Sequence, residues 1–368
     1  GRGQSASGDG KADPMRVVGI NFDHMHMPTL LDQARRHPEV DVVGVCDEQP
    51  DRMAATVADL SLPATSVFTD YAECLERTTP DIVVLCSATA THGEWVKRIA
   101  PFGANVLVEK PFAASLAEAD AMVEAMSAAG KDLVINWPLA WRPSHMTARR
   151  VIDDGTIGEV TEVHYYGGNR GPLVGRSNDP ASLERAEQRK QDTWWYQRSA
   201  GGGSLLDYLG YGVTLGTWFF DGVKPIEMTT MVDEPSDVEV DEHSVSIARY
   251  STGLSKFETR WGTFTDPWID QPQPKSGFVI VGTAGTISSY DYDTTIRIQT
   301  RADPQGVVLA VDELQPPFQD PIQNFVHSLR TGDPIHAPLS VEIGRIGQQM
   351  VDTAVLSAGR GQTVPLVE

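Results

Sequence analysis

Positive charge is scarce in this chain: 30 Lys and Arg stand against 50 Asp and Glu over 368 residues, a formal net charge of −20. Charge of that sign repels phosphate backbones and anionic lipid surfaces at long range, so neither nucleic acid nor a membrane is expected as a partner. Long apolar runs are missing, and none approaches the roughly 20 residues that cross a bilayer. Cysteine is nearly absent, and Cys46, Cys74 and Cys86 cannot pair completely. Cys46 and Cys86 end apolar, strand-like runs, where a free thiol packs as a small hydrophobe; a reducing, cytoplasmic setting is the expectation. Residues 1–14 lack the apolar stretch of a secretory signal. They read as a flexible segment or expression remnant ahead of Met15, or as what an excised export signal leaves behind, which would place the protein outside the cytoplasm.

The length exceeds the roughly 250–300 residues that one hydrophobic core organises, so two domains are expected, 15–137 and 138–368. In the first, short apolar runs alternate with amphipathic stretches. Val17–Ile20, Val42–Cys46, Ile82–Cys86, Asn105–Val108 and Leu133–Asn136 read as strands, and Thr29–Arg36, Arg52–Leu60, His92–Pro101 and Ser115–Ala129 as helices. The alternation implies parallel strands joined by right-handed crossovers, a doubly wound sheet of about six strands and the pattern of a dinucleotide-binding Rossmann domain. After Pro143 the texture changes. A helix at His145–Asp154 precedes strand candidates at Thr161–Tyr166, His243–Tyr250, Leu254–Trp261, Gly277–Val281 and Thr295–Thr300, and a last helix spans Ser340–Ala358. An α+β domain with an open, mainly antiparallel sheet is expected. Asn169–Arg198 is polar and too long for a plain connection, which suggests an excursion at the active site or an oligomer contact.

Two strings carry chemistry. Glu109-Lys110-Pro111 ends a strand of the first domain, at the sheet edge where open parallel sheets bind ligands, so Lys110 is either catalytic or a solvated turn residue. Gly201-Gly-Gly-Ser-Leu-Leu-Asp207-Tyr-Leu-Gly-Tyr211 enters a helix that puts Asp207 and Tyr211 on one face. Asp207 there is a site acceptor or a helix-dipole partner, and Tyr211 a proton carrier or a core residue.

Together with Val281-Gly-Thr-Ala-Gly-Thr-Ile287, Asn324-Phe325 and Ser357-Ala-Gly-Arg-Gly361, these strings resemble the Gfo/Idh/MocA family, the glucose-fructose oxidoreductases and inositol dehydrogenases, from about Met15 to the C-terminus. The resemblance implies a Rossmann domain followed by a substrate and oligomerisation domain whose sheet builds a dimer or tetramer. It also implies hydride exchange between NAD and a sugar or polyol carbon, with Lys110 in the active site. Many relatives carry His where Tyr211 stands; this chain sides with those that carry Tyr. Tyr211 is expected as acid/base, Lys110 as the ammonium that lowers its pKa and binds substrate, and Asp207 as an acceptor that orients a hydroxyl.

The chain departs from the family at the loop after the first strand, Gly19-Ile-Asn21-Phe-Asp23-His24-Met-His26. Asn21 and Asp23 stand where glycines let a backbone touch pyrophosphate, and Asp23 adds negative charge. Asn21 could keep the turn in a left-handed conformation, with His24 or His26 neutralising a phosphate; the loop could instead be reshaped, or the cofactor lost. Asp47, ending the second strand, suits the adenosine ribose hydroxyls and would repel a 2′-phosphate, so NAD is favoured over NADP. Glu109 and His92 match positions that the resemblance puts near the cofactor. Asp23, His24 and His26 are metal-ligand types, but no third cluster is evident and no metal is expected. Trp137, Arg142 and Trp195 flank the two strings as substrate-contact candidates. Two other functions fit the same residues: a redox-neutral glycoside hydrolase or lyase holding NAD, and a non-catalytic sugar-binding protein without it.

Overall fold

The computed structural model describes residues 10–175 and 179–368, so most of the N-terminal segment and residues 176–178 of the polar excursion lie outside the described residues. The first half runs β1 (Met15–Ile20), α1 (Met27–Arg36), β2 (Val40–Cys46), α2 (Ala54–Leu60), β3 (Val67–Phe68), α3 (Tyr71–Thr78), β4 (Ile82–Leu85), α4 (His92–Ile99), β5 (Asn105–Glu109), α5 (Leu116–Ala128) and β6 (Leu133–Asn136). Its six strands are all parallel, in the order β3-β2-β1-β4-β5-β6. The order reverses between β1 and β4, which opens a crevice at their carboxyl ends. β4 reads Ile-Val-Val-Leu without a break because both of its faces are covered.

The second half runs α6 (Pro143–Asp153), β7 (Val160–Asn169), α7 (Pro180–Arg189), α8 (Ser204–Phe219), β8 (Glu227–Asp233), β9 (His243–Tyr250), β10 (Gly253–Trp261), β11 (Gly277–Gly282), β12 (Gly285–Tyr290), β13 (Thr295–Thr300), β14 (Val307–Ala310), α9 (Pro321–Thr331), α10 (Val341–Arg360) and β15 (Val364–Pro365). Nine strands form one sheet, β14-β13-β12-β11-β7-β10-β9-β8-β15, antiparallel except where β7 meets β10. An α/β Rossmann sheet followed by an open, mainly antiparallel sheet is the expected fold class.

Two helices set the site. α8 lies on the second sheet, where Tyr165, Phe257 and Phe278 form the floor beneath it. α10 packs on α8 and reaches back to α5, where Arg345 pairs with Asp120 (2.8 Å) and Asp352 accepts from the Leu116 amide (2.9 Å). This bracing faces α8 toward the carboxyl ends of β1, β4 and β5. No helix among the described residues is long and apolar enough to cross a membrane.

Candidate active site

Lys110 leaves the sheet directly after β5. Opposite it, the chain enters α8 through Gly203, whose φ of 103° favours glycine. Asp241 fixes that entry, accepting from Ser204 Oγ (2.5 Å) and the Leu205 amide (3.0 Å). Burial pushes its carboxyl up to about 6 in spite of those bonds. α8 then turns Asp207, Tyr208 and Tyr211 toward Lys110. Lys110 Nζ donates to the Asp207 carboxylate and to its backbone carbonyl (3.0 Å), while the second carboxylate oxygen accepts from the Trp261 indole (3.0 Å). The ammonium sits 5.2 Å from the centre of the Tyr211 ring and 5.4 Å from that of Tyr208.

This pairing changes the chemistry expected of Tyr211. Its hydroxyl is held well above the ordinary value of 10, first by burial and then by Tyr208, Glu109 and Asp207. The Lys110 ammonium, paired with Asp207 and lying over the ring face, does not offset that rise. Tyr211 is therefore a protonated phenol at neutral pH, equipped to donate. Asp207, which also lines the cavity, uses one bond from each of its oxygens to hold Lys110 and Trp261.

Lys110, Asp207 and Tyr211 open onto a cavity of about 750 Å³ that Arg142, Asn169, Arg170, Trp195 and Tyr292 also line. Of the expected substrate contacts, Arg142 lies in this wall with its guanidinium 4.9 Å above the Tyr292 ring, and Trp195 stacks on Trp194 at 3.9 Å. Trp137 does not reach the cavity. It is buried behind Tyr211, edge-on at 5.4 Å, and acts as that ring's backstop.

The loop after β1 folds onto itself. Asn21 takes the left-handed conformation, φ 70°, and so keeps the tight turn. Its Oδ1 accepts from the Asp23 amide (2.8 Å), Asp47 accepts from the Phe22 amide (2.8 Å), Cys86 O from the His24 amide (2.9 Å), and His24 Nδ1 from the His26 amide (3.1 Å). The Asp23 carboxylate pairs with Arg52 and accepts from the Ala88 amide (2.9 Å), stitching the loop to the end of β4. Arg52 also lies 3.7 Å from Asp47, whose other oxygen accepts from the Gln49 amide (2.7 Å). Trp194 closes over the loop, its indole N–H 3.4 Å from the Asp23 carbonyl.

His24 is buried, and burial first, then the neighbouring His26, Lys110 and His92, hold its imidazole well below the ordinary range. It is neutral and cannot supply the positive charge expected of it toward a phosphate. His26 is the residue that sequence reasoning underused: its Nδ1 lies 2.6 Å from Glu109 Oε1, and Asn136 Nδ2 donates to Glu109 Oε2 (2.8 Å). The fold thus supplies a third ligand-type group to the His24–His26 pair, contrary to the expectation of none. Asn136 faces Glu109 in the β5–β6 register and could have been found from it; His26 and Glu109 are 83 residues apart and could not. His92 is fully buried, its ring nitrogens 3.0 Å from the Phe112 and Ser87 carbonyls, so it ties two loops together rather than facing a cofactor.

A dinucleotide is accommodated only in part. Asn21 keeps the turn, and Asp47 stands at the end of β2, where an adenosine ribose is expected, with its two oxygens accepting from the Phe22 and Gln49 amides. The amides of Phe22 and His24 are taken by Asp47 and the Cys86 carbonyl and those of Asp23 and His26 by Asn21 and His24, so these four are not free to cradle a pyrophosphate, and the Asp23 carboxylate stands beside them. Arg52 is the cation at that loop.

Residues 15–137 match the family model described as an oxidoreductase family with an NAD-binding Rossmann fold, and residues 145–288 match the Gfo/Idh/MocA C-terminal domain. D-apiose dehydrogenase of Paraburkholderia graminis is 29% identical over 145 residues, 39% of this chain and 36% of that protein. The NAD+-dependent scyllo-inositol 2-dehydrogenase of Bacillus subtilis is 30% identical over 155 residues, 42% of this chain and 43% of that protein. The chain thus spans less than half the length of either curated relative. An oxidoreductase from Agrobacterium radiobacter, solved with NAD+, L-tartaric acid and magnesium, superimposes with a TM-score of 0.76 over 96% of this chain and 98% of that one. At 16% identity that likeness speaks for the fold. With both family models matched in sequence along the chain, it belongs to the Gfo/Idh/MocA family of oxidoreductases.

Proposed function

We propose that the chain is an oxidoreductase of a sugar, glycoside or cyclic polyol, with NAD(H) as the hydride carrier. The observation that carries the reading is the convergence of Lys110, Asp207 and Tyr211 on one cavity at the carboxyl edge of the first sheet. Bound NAD(H) would supply or take the hydride; the protein's own part is to hold the reacting oxygen and manage its proton. Asp207 fixes the Lys110 ammonium, which binds that oxygen and favours its negative charge. Tyr211, protonated at rest, donates to the oxygen as a carbonyl becomes an alcohol and regains its proton from solvent before the next turnover; in oxidation the same proton travels the opposite way. Arg142 and Asn169 supply donors for further hydroxyls, and the Trp195 face supplies an apolar platform. The division of labour between 15–137 and 138–368 follows the same reading, cofactor on one side and substrate on the other.

Tyr211→Phe tests it. Across a panel of keto-sugars with NADH and of sugars and inositols with NAD+, the variant should lose about 10²- to 10⁴-fold in turnover with sugar affinity little changed. Near-normal turnover by the variant would sink the assignment.

A further inference from the structure

We infer that His24, His26 and Glu109 form a divalent transition-metal site at the foot of the cleft. Each offers a ligand atom, and these atoms all lie within 4.8 Å of one another. His24 is only 3% exposed, and its Nε2 has no hydrogen-bond partner, whereas the loop around it pairs nearly every polar group. A buried nitrogen left unpaired in such a wall calls for a partner, and it can bind a metal once the ring proton moves to Nδ1. Glu109 is aimed from behind: Asn136 holds one oxygen (2.8 Å), leaving the other directed at His26 (2.6 Å), which is how outer groups orient a metal-binding carboxylate.

Two imidazoles and one carboxylate suit Zn2+, Co2+, Fe2+ or Mn2+ and leave coordination positions open; Mg2+ and Ca2+ prefer oxygen throughout. His24 and His26 line the same cavity as Lys110 and Tyr211, so the open positions face bound substrate, where adjacent sugar oxygens can chelate. Lys110, whose ammonium would oppose a cation, is tied to Asp207. Entry of the ion exchanges two hydrogen bonds, His26 N–H to His24 Nδ1 and His26 Nδ1 to Glu109, for metal bonds, moves the His24 ring proton to Nδ1, and releases any proton shared by His26 and Glu109. The inference goes beyond the proposed reaction and stands independently of it.

The experiment reads binding, not turnover. The full chain, stripped with a chelator, is titrated with Co2+ and Zn2+ by calorimetry, with NAD+ titrated in parallel. One ion per chain is expected, with the X-ray absorption of the Co2+ form showing two imidazoles among its ligands. His26→Ala and Glu109→Gln, each folded by circular dichroism, should weaken binding at least ~100-fold. No saturable binding by the wild-type chain, an all-oxygen cobalt shell, or affinity unchanged in both variants overturns the site. The wild-type titration and spectrum decide even if a variant fails to fold, and NAD+ binding or its absence judges the hydride-carrier reading separately.

Discussion

A lysine with 4% of its side chain exposed must be paired, since taking one ion out of water costs several kcal/mol. Lys110 is paired by Asp207, and the arrangement puts function and stability in the same two residues. Asp207→Asn leaves an uncompensated buried ammonium, so it should destabilise the chain by about 3–5 kcal/mol in urea unfolding, alongside lost turnover. Adding Lys110→Met removes the orphaned charge and should recover much of that stability but none of the activity. A single variant as stable as wild type would contradict the pairing. The same residues show what the sequence conveyed. Lys110, Asp207 and Tyr211 were legible because each sits in a motif at an element end, but the proton on Tyr211 was not, because it depends on burial and on where Asp207 places the ammonium. Asp23–Arg52 and His26–Glu109 join residues 29 and 83 positions apart, and no local pattern announces them.

Elements with alternating or continuous apolar residues could be read directly: β9 and β13 have the bounds that the alternation gives. β3 has two residues and no period to detect. β12 hides its inward face, because Ser289 there is polar and buried against His145 Nδ1 (2.9 Å), and β14 is a mostly exposed edge strand. α9 was missed although Asp320 caps it and Pro321 opens it, a start signal that the sequence does carry. That helix explains the Asn324-Phe325 pair: Asn324 Oδ1 accepts from the His336 amide (2.8 Å), which fixes the turn between α9 and α10. His336 then donates from Nε2 to the Ala140 carbonyl (3.2 Å), with its ring against Trp141 and Trp218. Burial lowers this imidazole from 6.5 to about 4, only partly opposed by the Ala140 bond. The unfolded chain therefore binds the extra proton first as pH falls, and the contribution is whole above about 6.5 and lost toward 4. At 1.36 kcal/mol per unit it amounts to about 3 kcal/mol. Unfolding free energies measured from pH 7 to 4.5 should fall more steeply for the wild type than for His336→Gln; parallel curves would refute the shift.

At the scale of the molecule, the second sheet has one covered face and one open one. α6, α8 and α10 pack on the inner side, while Met231, Ile247 and Leu254 point outward from β8, β9 and β10, 79%, 41% and 45% exposed. Large apolar side chains grouped on an otherwise polar sheet are the mark of a contact surface. A second copy is the partner the reading favours, although each chain brings a charge of −20. That repulsion is screened over about 8 Å at physiological salt, so association through the apolar strip should strengthen as salt rises, the reverse of an interface built on ion pairs. Light scattering at low and physiological ionic strength should give two or four chains, with the larger share at the higher salt. Met231→Asp combined with Ile247→Asp should reduce the mass to that of one chain while leaving cleft turnover intact, because both residues face away from α8. A wild-type chain that stays single at both salts would show that the strip binds no second copy.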